Sequence, residues 1–270
     1  MRLGPEPNGW VGMTTGLLIA VALLWGAVAG ALLPRAAYRF SVPSDEPWRE
    51  LCPDGHPIGG WIGSARCGEC ADNSPAGTAR RGDDGVGKRS YGPGTPALSL
   101  TTALVCAALA AATGTRPELG VWLLLGPVGV LLAAVDLRVR RLPDVLTLPL
   151  AGAVLVLLGV VALLPEHAGD WTTALYGALA LGAFFLLLFL INPGGMGFGD
   201  VKLALGPGAA LGWYGWPTLM LGTLAAFLLG ALYGGALVVA RRAGRRTAIA
   251  FGPFLIGGAF LGLLVGAYTA

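Results

Sequence analysis

The sequence predicts an all-α fold: a polytopic membrane helix bundle of about eight transmembrane helices with one cytoplasmic loop domain. Three observations predict it. The chain is 55% hydrophobic and only 12% charged, its mean hydropathy is +0.70, and its apolar stretches recur at bilayer-crossing length. A soluble domain is about half apolar and a quarter charged. A span needs roughly 20 apolar residues to cross about 30 Å of hydrocarbon.

The apolar stretches place helices at residues 12–34, 97–114, 119–136, 147–164, 171–192, 201–214, 217–240 and 249–268, the sixth being short. The 44 glycines and 19 prolines fit membrane helices, where small residues let backbones pack closely. The first stretch also has features of a secretory signal. Its basic region holds only Arg2, with Glu6 close behind, and its apolar run exceeds the usual 7 to 15 residues, so a retained helix is the reading taken. The chain then divides into a first transmembrane helix (1–34), a cytoplasmic loop (35–96) and a transmembrane core (97–270).

Lys and Arg collect in cytoplasmic loops. With the N-terminus outside, Arg138, Arg140 and Arg141 on one short connection and Arg241, Arg242, Arg245 and Arg246 on another all fall inside. So do Arg35, Arg39, Arg49, Arg66, Arg80, Arg81, Lys88, Arg89 and Lys202, leaving Arg2 and Arg116 outside. A multi-pass protein of the cell membrane is expected. The net charge of +3 is accounted for by topology and contact with membrane lipid and calls for no nucleic-acid partner.

The loop carries Cys52, His56, Cys67 and Cys70. A Cys-x2-Cys turn supplies two ligands of a tetrahedral zinc site, and Cys52 with His56 would complete four. A loop with few large apolar residues gains stability from such a metal. Free or redox-active thiols are the alternative. Residues 73–95, rich in Gly, Ser, Pro, Arg and Asp, with Asp83 and Asp84 facing the Arg80–Arg81 pair in sequence, read as a flexible tether. Cys106, inside the second predicted span, reads as a packing residue.

Two carboxylates stand out, because acids near hydrocarbon are costly and mark function. Asp136 ends the third predicted helix and Asp200 opens the sixth, so in this topology both lie at the cytoplasmic face. Carboxylates that meet cannot both ionise, so one serves as acid and the other as base toward a water molecule. The run Pro193 to Gly199 is a poor helix, and Gly197, Phe198 and Gly199 leave room for an extended substrate backbone. An ordinary glycine-rich connection with Asp200 as helix cap is the alternative. Asp144 reads as a cap or a water-facing residue, and Lys202 as an interfacial cation. His56 and His167, the two histidines, fall on opposite sides and make no Ser/His pair.

These residues resemble the type IV prepilin peptidase family, the Gly-x-Gly-Asp intramembrane aspartyl peptidases. The resemblance runs through Asp136 to Pro149, Gly197 to Leu203, Phe251 to Phe254 and the opening Gly30 to Arg39. It implies a membrane enzyme that cleaves the basic leader of prepilin or pseudopilin precursors at the cytoplasmic face, with Asp136 and Asp200 as the catalytic pair and no cofactor for proteolysis. It also implies N-methylation of the new N-terminus from S-adenosylmethionine by members that carry that second activity. The chain departs from the family where Cys52 stands without a second nearby cysteine, where Ala31 and Pro34 replace Ser and Asn, and where Arg138 replaces an Asp.

A cation- or proton-coupled transporter is the rival from another class, since buried aspartates and broken helices also build ion paths. It requires inverted repeats and mid-membrane acids, whereas both key acids sit at helix ends. A non-catalytic assembly protein of the same fold is the third reading.

Overall fold

The computed structural model describes residues 8–43, 46–72, 91–240 and 250–270. Among them, helices follow in the order α1 Asn8–Phe40, α2 Gly68–Asp72, α3 Thr95–Thr113, α4 Glu118–Val139, α5 Asp144–Val161, α6 Trp171–Ile191, α7 Phe198–Trp213, α8 Trp216–Val239 and α9 Gly252–Thr269. The described residues hold no strand, only an isolated antiparallel bridge between Leu51 and Pro57. Arg2, Glu6, Arg80, Arg81, Asp83, Asp84, Lys88, Arg89 and the Arg241–Arg246 cluster lie outside the described residues, as does most of the expected tether.

All but α2 and α7 are long and apolar enough to cross a membrane, which makes seven candidate spans among the described residues and a multi-pass membrane protein. Leu17, Leu24, Leu187, Leu190, Leu232 and Val239 face outward, as lipid-facing side chains do. The expected sixth span is α7. Its 16 residues reach about 24 Å at 1.5 Å each, short of the hydrocarbon thickness. It is the centre of the bundle, running from the end of α4 that carries Asp136 to the end that carries Glu118, packed against α5, α6, α8 and α9 and buried from Asp200 to Trp213 except at Lys202 and Leu205.

Glycine sets the tightest helix pairs. Cβ atoms added at Gly26 and Gly30 of α1 would stand 2.6 Å from the Thr102 and Leu98 carbonyl oxygens of α3. One at Gly208 of α7 would stand 2.5 Å from the Gly177 carbonyl oxygen of α6, and one at Gly258 of α9 would meet Gly222 of α8 at the same distance. Gly26/Gly30, Gly208/Gly212 and Gly258/Gly262 each repeat at four-residue spacing, which brings one ridge of small residues against the neighbouring backbone.

The first helix runs to Phe40, six residues past its expected end. Pro34 opens its hydrogen-bond ladder, and Gly63 of the following loop fills the gap: the Gly63 N–H donates to the Leu32 carbonyl (2.8 Å) and the Arg35 N–H donates to the Gly63 carbonyl (3.0 Å). Arg35 then donates to the Gly59 and Ser64 carbonyls, and Arg39 to those of Ile58 and Gly60. The loop is therefore docked on the end of α1. It also reaches the core, where Arg141 donates to the Pro43 carbonyl and lies over the Trp48 ring.

Candidate functional site

Asp136 lies in the last turn of α4 and Asp200 in the first turn of α7, and both are buried, at 3% and 7% exposure. Three elements converge there. The N–H of Gly252, the first residue of α9, donates to Asp136 Oδ2 at 3.1 Å. That N–H is one of the donors a helix start leaves free, so the positive end of α9 points at the carboxylate. Asp200 lies in the corresponding field at the start of α7, three residues after its cap Gly197.

Leu142, on the connection between α4 and α5, joins the two halves. A Cβ at Gly199 would stand 3.2 Å from Leu142 Cβ, and one at Gly252 would stand 2.7 Å from Asp136 Oδ2 and 3.4 Å from Leu142 Cδ1. Leu142 thus fills the space between the glycines that flank the two acids, and the acids are close enough to interact electrostatically. Gly252 has no room for a side chain of its own, and one at Gly199 would fit only if Leu142 gave way by a few tenths of an ångström. An apolar cavity of about 400 Å³ begins beside the pair at Leu137, Leu203 and Pro253 and continues between α3, α4, α5, α7 and α9.

Residues 192–197 are non-helical and mostly exposed, as the run of glycines predicts, but Phe198 and Gly199 already belong to α7. Asp200 is therefore not the helix cap. Its N–H donates to the Gly197 carbonyl at 3.0 Å. Phe198 is exposed, with its ring against Phe189 and below Lys202 Nζ. Asp144 does not cap α5 either: the cap is Pro143, and Asp144 pairs with Lys202 at 2.6 Å on the exposed rim. Of this site, Gly252 and Leu142 lie within the segments that carry the family resemblance, but neither the donor nor the wedge was assigned a role from sequence. The one local signal was Pro253, a residue favoured in the first turn of a helix, which marks Gly252 as a helix start.

The loop forms a second centre. Cys52, His56, Cys67 and Cys70 offer ligand atoms that all lie within 4.8 Å of one another. Cys52 Sγ is 3.6 Å from His56 Nδ1 and 3.7 Å from Cys70 Sγ, and His56 Nδ1 is 3.2 Å from Cys70 Sγ and 3.7 Å from Cys67 Sγ. With Zn–S near 2.3 Å and Zn–N near 2.0 Å, a tetrahedron has edges of roughly 3.5–3.8 Å, so the donor set suits zinc in chemistry and spacing. Burial opposes ionisation of Cys52, but hydrogen bonds from the His56 and Asp54 backbone and from the Cys70 and His56 side chains draw its thiol down to about 7. Hydrogen bonding to the Asp54 carboxylate, with burial and the neighbouring thiols, raises Cys70. Cys106 lies apart from this group, fully buried against Ala22, Ala110 and Leu119, as a packing residue should.

A third polar group sits at the opposite end of α4 and was not foreseen. Glu118 is completely buried. It lies 3.9 Å from Arg116, accepts from Tyr214 Oη at 3.5 Å and from the Ala168 N–H at 3.4 Å, while Arg116 donates to the Ala267 carbonyl. The node ties α4 to α9 and to the turns before α6 and after α7.

A bundle that buries two facing aspartates at helix ends defines a class of membrane protein with an acid pair at one face. Comparison with known proteins gives the family. Residues 123–235, which include both aspartates, match the type IV leader peptidase family. A prepilin leader peptidase/N-methyltransferase of Burkholderia pseudomallei is 30% identical over 94% of this chain and 87% of its own length. One from Stutzerimonas stutzeri is 28% identical over 92% and 91%, and one from Pseudomonas aeruginosa is 34% identical over 66% and 61%, so the last match spans less than two thirds of that relative. The chain belongs to the type IV leader peptidase family. No solved structure matches it.

Proposed function

We propose that this protein is an intramembrane aspartyl endopeptidase that removes the leader from type IV prepilin or pseudopilin precursors, with Asp136 and Asp200 as its catalytic pair. The observation that carries this reading is the convergence of both buried carboxylates on one face, each at the positive end of a helix, beside an open glycine-rich edge. Family membership supports the reaction type and the substrate class. A transporter needs its acids near the midplane and gains no support from acids at helix ends.

In the reaction, one carboxyl of the pair holds a proton and the other is ionised. Water attacks the peptide carbonyl carbon, its proton passes to the ionised carboxylate, and the carbonyl oxygen takes the proton of its partner. The tetrahedral species then loses the C–N bond as the nitrogen takes the proton from one carboxyl of the pair and a hydroxyl on the tetrahedral carbon gives its proton to the other, which returns the pair to a single shared proton. Gly197, Phe198 and Gly199 form the edge along which the extended substrate lies, and the apolar cavity next to Leu137 and Leu203 receives an apolar side chain near the cleaved bond. The face carrying the pair is cytoplasmic, since Arg35, Arg39, Arg49, Arg66, Arg138, Arg140, Arg141 and Lys202 gather at that end and Arg116 stands at the other. The N-terminus is then outside.

The Cys/His cluster holds a structural zinc ion through Cys52, His56, Cys67 and Cys70, fixing a loop with little apolar core. The bound metal supplies a cross-link, and no proteolytic step passes through it. The test of the whole reading is co-expression with a candidate precursor, read as a mass shift of the precursor. Loss of the leader with the unaltered chain, and with neither Asp136→Asn nor Asp200→Asn, is expected. An added methyl mass would report the second activity in the relatives' names.

A further inference from the structure

The two helices that carry the aspartates do not pack on one another. α4 reaches Asp136 in its last turn and α7 begins beside it with Asp200, so they run antiparallel and come together again where α4 starts at Glu118 and α7 ends at Trp213. Nowhere does a Cα of α4 lie within 8 Å of one in α7. The apolar cavity occupies the gap, with Gly126 and Ala133 of α4 on one wall and Gly206 and Ala210 of α7 on another. Interdigitated side chains ordinarily fix the spacing of two helices, and here a void takes their place.

A buried polar node closes the end far from the acids. Tyr214, the residue after α7, accepts from Trp122 Nε1 at 3.1 Å and donates to Glu118 Oε1 at 3.5 Å. Glu118 and Trp122 stand four apart on one face of α4, so a single hydroxyl grips one turn of that helix. Among the described residues, these are the hydrogen bonds that join α4 directly to the end of α7. Both α4 side chains are buried, where leaving a polar group unpaired costs about 1–3 kcal/mol. The turn before α6 braces the node, since the Asp170 N–H donates to the Trp213 carbonyl at 3.0 Å and the Ala168 N–H donates to Glu118. Arg116 donates to the Ala267 carbonyl near the end of α9, the helix whose first N–H holds Asp136 at the other end.

We propose that Tyr214, Trp122 and Glu118 are positioning residues that set the approach of Asp136 to Asp200 from the opposite end of the bundle. This role rests on the reading of the two aspartates as the catalytic pair. At 1.5 Å per residue the node stands about 27 Å along α4 from Asp136 and about 21 Å along α7 from Asp200. Both helices run unbroken over that length, through Pro127 and Pro207. A slide of α4 against α7 at the node is therefore carried to the carboxylates, because the cavity leaves no layer of facing side chains between the two helices to resist it. The substrate edge at Gly197, Phe198 and Gly199 lies at the acid end, out of reach of the node.

The test measures kcat, KM and the pH–rate profile for cleavage of a purified precursor by the full chain in phosphatidylcholine nanodiscs, at a temperature where thermal unfolding shows each variant to be folded. Tyr214→Phe keeps the ring and removes the hydroxyl that both bonds share. Its kcat is expected to fall about tenfold, less than the roughly 100-fold of a 1 Å misplacement, with KM unchanged. The spacing between the two limbs of its pH–rate profile, which reports the interaction of the acids, is expected to shift. Trp122→Phe removes one of the two bonds and carries the same test if Tyr214→Phe does not fold. The double variant should lose less than the product of the two single losses, since both remove the same bond. Folded variants with unaltered kcat and profile would overturn the inference and leave the peptidase reading standing, as would a loss of rate that only follows loss of folded protein, or a rise in KM at constant kcat. No cleavage by the unaltered chain would overturn the peptidase reading, and the inference with it.

Discussion

The N–H of Gly252 donates to Asp136 Oδ2 at 3.1 Å across 116 positions of chain, and it does so because Gly252 has no side chain. A Cβ there would stand 2.7 Å from the same oxygen. The start of α9 therefore holds Asp136 by its backbone, and any side chain at position 252 would displace the carboxylate from that donor.

Gly252→Ala should therefore lower the cleavage rate by about 100-fold, the scale of a misplacement near 1 Å. Because the clash falls on the end of one side chain, the bundle should still fold. Initial rates on a purified precursor, paired with thermal unfolding of the same samples, check both halves.

Asp144 and Lys202 form a close pair that is exposed at the rim. Exposed pairs contribute about 0–1 kcal/mol, so Asp144→Asn and Lys202→Met should each change stability by no more than that. Cleavage should stay within a few-fold of the unaltered chain. Abolished cleavage in Asp144→Asn would move the catalytic assignment from Asp136 to Asp144.

Chelation, or Cys67→Ser, should remove one metal ion per chain. Among the described residues the loop's own core is the small cluster of Tyr38, Cys52 and Ile58, so residues 46–72 should become open to protease while the spanning helices stay protected. Metal analysis by mass spectrometry, followed by limited proteolysis, reads this outcome.

Glu118→Leu should destabilise the bundle by about 3–5 kcal/mol, because it leaves Arg116 without its buried partner. Adding Arg116→Met should restore part of the loss. Denaturant titration of the single and double variants gives the coupling energy.

Much of the architecture was legible because the bilayer demands long apolar runs, and all eight expected stretches became helices, seven of them long and apolar enough to cross a membrane. α7 is the short helix expected there, but its central place in the bundle depends on its neighbours. The first helix runs on to Phe40 because Gly63, far along the loop, supplies the hydrogen bonds that Pro34 disrupts. Asp136, Asp200 and the Cys52, His56, Cys67 and Cys70 group could be picked out by residue type. The roles of Gly252, Leu142 and the Glu118 node arise from contacts between distant segments, which residue types at those positions do not reveal.

The most direct test of the central claim is the cleavage rate of a purified precursor by Asp136→Asn and Asp200→Asn, each shown by thermal unfolding to be folded. Both substitutions keep the shape of the side chain and remove its ionisable oxygen. Loss of cleavage in each, with stability retained, is the expected result, and undiminished cleavage by either folded variant would contradict an aspartyl pair.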